Sequence, residues 1–379
     1  MNDRLQQKRN HTVAVILSVL FLLFTAFYVI FFQCDLFALM QETWAHGQTT
    51  NNPFVTAIII GLVLFLLQRG VKRLTQLGGR WEAFTWLPSY LLLGLTTDVD
   101  SHTLHYDLLP WAAILGGCLL VLLFVCWLRS VWPSDTRTPL LHLLVPGLVV
   151  SVVGMLLCMA FTNHDAALHQ ELAAYRHAAR GDAAKVAAVG RRSQETTLAL
   201  TALRNVALAR EDRAGDELFH YPQPYGSNGL NVSPYVRQHT RFGASTFYAF
   251  LGAEPYGGEA SAAFVERIYR QDDTPLHRDL YAASLLLDGK LSDFVRSFPP
   301  TDSSAPLHYR EAWLLFRALK PAGTSPLPAD YSDPELQPLL DDFLSTLQGS
   351  PRERQVTLNA LFLSYGQTYW YYYAQHWLQ

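Results

Sequence analysis

Apolar residues are arranged in two ways along this chain. Up to about residue 161 they form long uninterrupted runs; beyond it they recur at helical spacing among polar positions. The runs 12–32, 53–68, 82–96, 108–128 and 139–161 predict five membrane spans, since about 20 apolar residues cross a bilayer core. The third is the shortest and contains Pro88. The fifth, PLLHLLVPGLVVSVVGMLLCMAF, carries no formal charge, with His142 and Pro146 near its start, where a first helical turn tolerates them. Its Gly147, Ser151, Gly154 and Cys158 form small-xxx-small pairs, the pattern that lets helices approach closely in lipid. Thr162-Asn163-His164-Asp165 then offers cap chemistry for a new helix. Between the first two spans, DLFALMQETWAHG places residues 36, 37, 39, 40 and 44 on one face and predicts a helix lying at the bilayer surface, stopping at Gly47.

From residue 163 the periodicity predicts helix after helix: 163–180, 182–189, 193–210, 213–220, 241–251, 258–271, 275–288, 290–297, 305–319, 334–348 and 352–378. No stretch alternates as a strand would. The expected fold is all-α, with a transmembrane bundle over 1–162 and an α-solenoid-like helical domain over 163–379.

Three segments carry a resemblance. AYRHAARGDAAKVAAV (174–189), NVALAREDRAGDELF (205–219) and YAASLLLDGKLSDFV (281–295) each read as helix, tight turn, helix. They resemble the hairpins of tetratricopeptide repeats, although their turns lie about 30 and then 78 residues apart where those repeats recur every 34. The fuller consensus of that family is not met. In layout the chain is similar to uncharacterised bacterial multi-span inner-membrane proteins with a helical C-terminal domain, a resemblance that implies no activity.

Charge changes the picture by giving the spans a direction. The basic residues up to 162 are Arg4, Lys8, Arg9, Arg69, Lys72, Arg73, Arg80, Arg129 and Arg137. With five crossings and a cytoplasmic N-terminus, all of them fall on the inner side, as the positive-inside rule requires. The first span then reads as an uncleaved signal-anchor, and the helical domain is expected outside the cytoplasm. The Ala/Arg-rich, Lys-poor composition suggests a bacterial inner membrane and hence a periplasmic domain. A formal charge of −3 gives no reason to expect nucleic acid as a partner. The cysteines, Cys34, Cys118, Cys126 and Cys158, all precede the tail and form no CxxC, so neither a disulfide framework nor a zinc or redox motif is expected. No motif calls for a cofactor.

Candidate chemistry gathers at the outer ends of the spans. Asp35, Asp98, Asp100 and His164 are the candidate catalytic residues, and His102, His105, Asp165 and His169 the candidate metal ligands. Carboxylate and imidazole groups suit a metal, but the spacing matches no established site. Acidic loops are also what remains when basic residues are excluded from that side. Asp35 and the D-x-D at Asp98–Asp100 resemble the acidic residues of lipid-linked glycosyltransferases, which would imply an enzyme of the outer leaflet. A further candidate is the long connection YPQPYGSNGLNVSPYVRQHT (221–240), whose Tyr221, Tyr225, Asn228, Asn231 and Tyr235 could line a groove for peptide or sugar. The aromatic end, Tyr365–Gln379, is expected to be buried as the last helix or to dock at the headgroup layer. The leading expectation is a membrane-anchored, non-enzymatic adaptor that lies in the lipid bilayer and binds other envelope or membrane proteins through its helical domain.

Overall fold

The computed structural model describes residues 2–44, 51–100, 106–132, 139–232, 244–300, 304–319, 331–349 and 354–378. Every regular element among them is a helix, and the chain divides into two units, 1–165 and 166–379.

The first unit begins with α1 (Asn2–Phe27), which runs through the polar start and the first apolar run and continues as one π-helical turn, Tyr28–Phe32. The surface helix expected next is α2 (Cys34–Trp44), with Leu36 and Phe37 buried. Then follow α3 (Pro53–Thr75), a 3-10 stretch (Gly79–Trp86), α4 (Leu87–Leu95), α5 (Leu108–Val131) and α6 (Leu140–Phe161). Among the described residues, four helices are long and apolar enough to cross a membrane: 4–32, 53–75, 108–131 and 140–161. The expected span 82–96 is different. It is a 3-10 stretch leading into a nine-residue α-helix. Gln76, at φ +54°, ends α3, Gly79, at φ +63°, starts the 3-10 stretch, and Pro88 sits in the first turn of α4, where its missing N–H costs nothing. Pro146 also departs from expectation, standing inside α6 rather than in its first turn.

Contacts fix the course of this irregular segment. Gly79 lies against Asn10, where an added Cβ would come 3.3 Å from Asn10 Oδ1. The Trp86 ring meets Phe21 at 4.3 Å between centroids, Tyr90 meets Phe21 and Phe24 at 4.9 and 5.8 Å, and the Thr97 and Tyr28 hydroxyls are 2.5 Å apart. Residues 79–97 therefore run beside α1 and in its direction, from Asn10 to Tyr28. Against α3 they run the opposite way: Lys72 pairs with Glu82 at 2.6 Å, Gln68 donates to Thr85 at 2.8 Å and Ser89 to the Leu64 carbonyl at 2.9 Å. Against α6 the order is again parallel, with Tyr90 on Gly154 and Gly94 beside Cys158. The small residues of α6 are its buried face, while Leu141, Val145, Val149, Val152, Val153 and Leu156 point outward.

The second unit holds α7 (Ala166–Ala178), α8 (Ala183–Ala188), α9 (Leu198–Arg210), α10 (Ala214–Glu217), α11 (Ala244–Leu251), α12 (Ser261–Gln271), α13 (Pro275–Leu287), α14 (Leu291–Ser297), α15 (Leu307–Leu319), α16 (Gln337–Gly349), α17 (Arg354–Tyr365) and α18 (Tyr369–His376). The three hairpins expected from sequence are α7–α8, α9–α10 and α13–α14, and they close identically. Gly181, Asp212 and Gly289 take positive φ and donate to the carbonyl three residues back, while Asp182, Arg213 and Lys290 donate five residues back. This is the Schellman ending, which satisfies the carbonyls a helix terminus leaves open. Expected to be amphipathic, α9 is instead buried on every side from Ala199 to Ala209. Its alanines and threonine leave room for neighbours all round.

The expected last helix, 352–378, is two helices. The N–H of Gly366 closes α17 onto the Phe362 carbonyl, and the Thr368 hydroxyl caps α18 by accepting from the Tyr371 N–H. This break turns α18 inward, so that Tyr369, Trp370, Tyr371 and Tyr372 are all buried.

Candidate functional site

At one end of the first unit, three segment ends are tied by hydroxyls and an amide. Tyr28 OH contacts Thr97 Oγ1 at 2.5 Å and donates to Thr162 Oγ1 at 2.7 Å, and Thr162 donates to Thr97 at 2.8 Å. Asn163 extends the set, its side chain donating to the Val99 carbonyl at 2.6 Å and its N–H to the Thr97 carbonyl at 3.1 Å. Gln33 donates to the Asn163 carbonyl at 3.3 Å.

Several sequence-derived candidates, Asp98, His164 and Asp165, adjoin this set along the chain. Asp98 accepts the Trp111 indole N–H at 2.6 Å, which fixes the start of α5 to the end of α4. Asp35 lies in the first turn of α2, where its charge suits the helix dipole. His164 is exposed and bonds the Met159 carbonyl at 2.7 Å. The Asp165 N–H donates to Asn163 Oδ1 at 2.8 Å, Asp100 is exposed beyond α4, and His169 is half-buried in α7. His102, His105 and Tyr235 lie outside the described residues. Among the described residues, no three His, Cys, Asp or Glu side chains are grouped to hold a metal ion.

The second unit contains a groove of about 550 Å³, in the size range of small-ligand sites. One wall is the start of the long connection, from Phe219 to Pro224; the other is the end of α17, the Gly366–Gln367 turn and α18. Gln194 closes one edge. Among the described residues, no Lys, Arg, Asp or Glu lines it. Its polar groups are Gln194, Tyr221, Gln223, Ser364, Gln367, Tyr371, Tyr372, Gln375, His220 and His376. Burial, with His308 beside it, lowers the His220 imidazole below its ordinary value, which leaves it neutral at pH 7.

Buried pairs hold both walls. Gln223 and Asn205 exchange side-chain hydrogen bonds of 2.9 and 3.1 Å, and Gln223 also donates to the Leu218 carbonyl at 3.0 Å. Tyr221 donates to the Ala187 carbonyl at 2.8 Å while the Arg204 guanidinium lies over its ring at 4.6 Å. Arg204 is 1 % exposed and donates to the Val189 carbonyl at 2.9 Å; desolvation lowers its pKa to about 10, so it stays charged. Behind the other wall, the Glu311 carboxyl accepts from the Tyr369 N–H at 2.8 Å and contacts His308 Nδ1 at 2.9 Å. His308 Nε2 in turn faces the Phe219 N–H at 3.5 Å, which assigns the proton to Nδ1.

A family model matches residues 3–253 and 265–376, nearly the whole chain. The chain belongs to this family, DUF6057, described as a family of unknown function. No curated protein and no solved structure matches it. Both walls of the groove and all three ends of the hydroxyl set lie within the residues that match the family.

Of the five binding candidates in the long connection, Tyr221 lines the groove. Tyr225 donates to the Thr196 carbonyl at 3.5 Å, Asn231 accepts from Tyr248 at 3.3 Å, and Asn228 is exposed away from it. The opposite wall was not anticipated. Its signal was present in the aromatic end, but only the helix break at Gly366–Thr368 brings Gln367, Tyr371 and Gln375 to face Tyr221. Tyr28, Thr97 and Thr162 were missed because their hydroxyls sit among apolar neighbours and carry no charge to mark them.

Proposed function

We propose that this is a membrane-anchored, non-enzymatic binding protein whose helical unit recognises its partner at the groove. The observation that carries the reading is the neutral lining: among the described residues it is made of polar side chains and aromatic rings, with no carboxylate, ammonium or guanidinium. Such a surface recognises by hydrogen bonding and stacking rather than by acid–base chemistry at charged groups. The three Schellman-closed hairpins support a TPR-like helical scaffold behind it.

The first unit is the anchor. Residues 79–97 follow the membrane-length helix 4–32 over most of its length, from Asn10 to Tyr28. Eight 3-10 residues at about 2.0 Å and nine α-helical residues at about 1.5 Å give about 30 Å, enough to cross a bilayer core. This segment thereby supplies a fifth crossing, which puts the N-terminus and the helical unit on opposite sides. Bonds at the other end gather the basic residues: Arg80 donates to the Trp132 carbonyl at 2.8 Å, Arg129 to the Thr75 carbonyl at 3.3 Å, and Lys72 pairs with Glu82. By the positive-inside rule that end faces the cytoplasm, and in a bacterial inner membrane the helical unit is periplasmic.

A reporter active only outside the cytoplasm, fused after Gln379, tests the orientation; activity is expected, and a cytoplasmic signal overturns it. Photocrosslinking from position 367 in native membranes tests the groove. A captured partner lost on substituting Tyr371 and Gln375 supports the reading, and capture indifferent to them removes it.

A further inference from the structure

We infer that the ligand of the groove is a neutral glycan, bound and not cleaved; this rests on the groove being the binding surface. Gln194, Gln367 and Gln375 are exposed along its edges, and none of their amides makes a hydrogen bond within the described protein. Each primary amide offers two donors and a carbonyl acceptor. Three such groups around one cavity match a ligand whose groups both donate and accept, as the hydroxyls of a sugar do.

The rings supply the other half of the chemistry. Tyr221 and Tyr371 are buried in the walls of this cavity, whereas Phe362, which also lines it, is 41 % exposed, and an exposed aromatic face suits the apolar C–H face of a pyranose. The edge contact between Phe362 and the buried Tyr371, 5.8 Å between centroids, holds the exposed ring in place before any ligand arrives. A rigid aromatic wall costs little ordering on binding.

Two competing chemistries fit less well. A charged ligand would give up its hydration with no opposite charge in the lining to replace it. A proline-rich peptide suits aromatic grooves, but its backbone offers mainly acceptors and would leave the glutamine carbonyls unanswered. Cleavage of a glycosidic bond uses a pair of carboxylates, and the described lining has none.

The test uses the full chain in lipid nanodiscs, titrated calorimetrically with neutral trisaccharides of glucose, mannose, galactose and N-acetylglucosamine, and with a proline-rich peptide. At least one trisaccharide is expected to bind saturably, with an affinity unchanged by added salt and the sugar recovered intact. The double variant Gln367→Ala/Gln375→Ala is expected to weaken that binding at least tenfold with no change in melting temperature, both side chains being exposed. Absence of binding by every trisaccharide, binding indifferent to the double variant, or hydrolysis of the sugar overturns the inference. Peptide binding that the double variant abolishes, without sugar binding, sinks the glycan but leaves the groove as the binding surface. If photocrosslinking from position 367 is also indifferent to the groove substitutions, both fall.

Discussion

Helices α6 and α9 are built from much the same small and aliphatic residues, yet they are inside out with respect to each other. In α6, Gly147, Ser151, Gly154 and Cys158 are buried while valines and leucines face outward. In α9, Leu200, Leu203, Val206 and Leu208 are buried to the last atom. The second unit is held together by removing apolar surface from water, worth about 25 cal/mol per Å². That force is absent between helices in lipid, where close packing and interhelical hydrogen bonds take its place. The same residue therefore means different things on the two sides of residue 165. A buried leucine is the rule in one unit, and a buried glycine or hydroxyl marks the contact in the other.

The largest effect that separates the units is expected at Glu311. Its side chain is 2 % exposed and its carboxyl serves the Tyr369 N–H and His308 together. Glu311→Ala leaves both without a partner in a dry interior, a loss of about 3 kcal/mol or more. Thermal unfolding and limited proteolysis are expected to show α18 released first, while the membrane unit stays folded. An unchanged proteolytic pattern would mean that burial of the aromatic rings alone holds α18.

The mirror experiment is one of volume. A Cβ at Gly154 would stand 2.5 Å from the Tyr90 ring, whereas at Gly116 in α5 nothing lies within 4 Å. Gly154→Leu is expected to cost about 3 kcal/mol through overpacking; Gly116→Leu, toward lipid, is expected to be neutral or slightly stabilising. Stability in mild detergent against temperature compares the two. Equal tolerance would show that α4 and α6 are not closely packed.

These contrasts also explain how much could be read in advance. The long charge-free runs of α1, α3, α5 and α6 are legible because lipid demands length and polarity of every residue. The segment 82–96 was legible as apolar, but not as a 3-10 stretch leading into a short α-helix, since Pro88 marks an irregularity without saying which one. In the second unit the hairpin turns at Gly181, Asp212 and Gly289 are local and could be read. The burial of α9 on every side could not, because it depends on α7, α8, the 3-10 turn Gly226–Leu230 and α13 all packing onto one helix. The groove was half legible for the same reason. Tyr221 announced itself within a Pro- and Gly-rich connection, while Gln367 and Gln375 gain meaning only from a wall more than 140 residues away in sequence.

A smaller effect is expected from charge in the second unit. Burial, together with Asp212 and Asp216, raises the Asp279 carboxyl from its ordinary 3.8 to about 7, against weaker help from Tyr309 and Arg278. Between pH 4 and 7 the folded chain thus holds a proton that the unfolded chain has released. The stability this contributes is complete below about pH 4 and is lost as pH rises through 7. Asp279→Asn, which keeps the shape of the protonated form, is expected to remove that slope. At pH 7.5 it gains about 1 kcal/mol, the full shift being cut by solvent at this half-buried position. Denaturant melts at pH 5 and pH 7.5 check it; parallel slopes for the two proteins would contradict the assignment.

The smallest expected effect is the one that bears most directly on what holds the membrane unit. Thr162→Val keeps the shape of the side chain but removes its hydroxyl from the set with Tyr28 and Thr97. In water-soluble cores the loss of a buried hydroxyl that leaves its partners unsatisfied costs about 1–3 kcal/mol. Within lipid the average is about 0.6 kcal/mol, because the separated helices find other partners. Tyr28 and Thr97 still contact each other in the variant, 2.5 Å apart, so the lower figure applies. Thr97→Val likewise removes a hydroxyl that touches both others and is expected to cost a similar amount. A double-mutant cycle on unfolding in detergent distinguishes the cases. A coupling near zero would make these hydroxyls bystanders to packing at Gly154 and Gly94, and a coupling above about 1 kcal/mol would make them the principal tie between the ends of α1, α4 and α6.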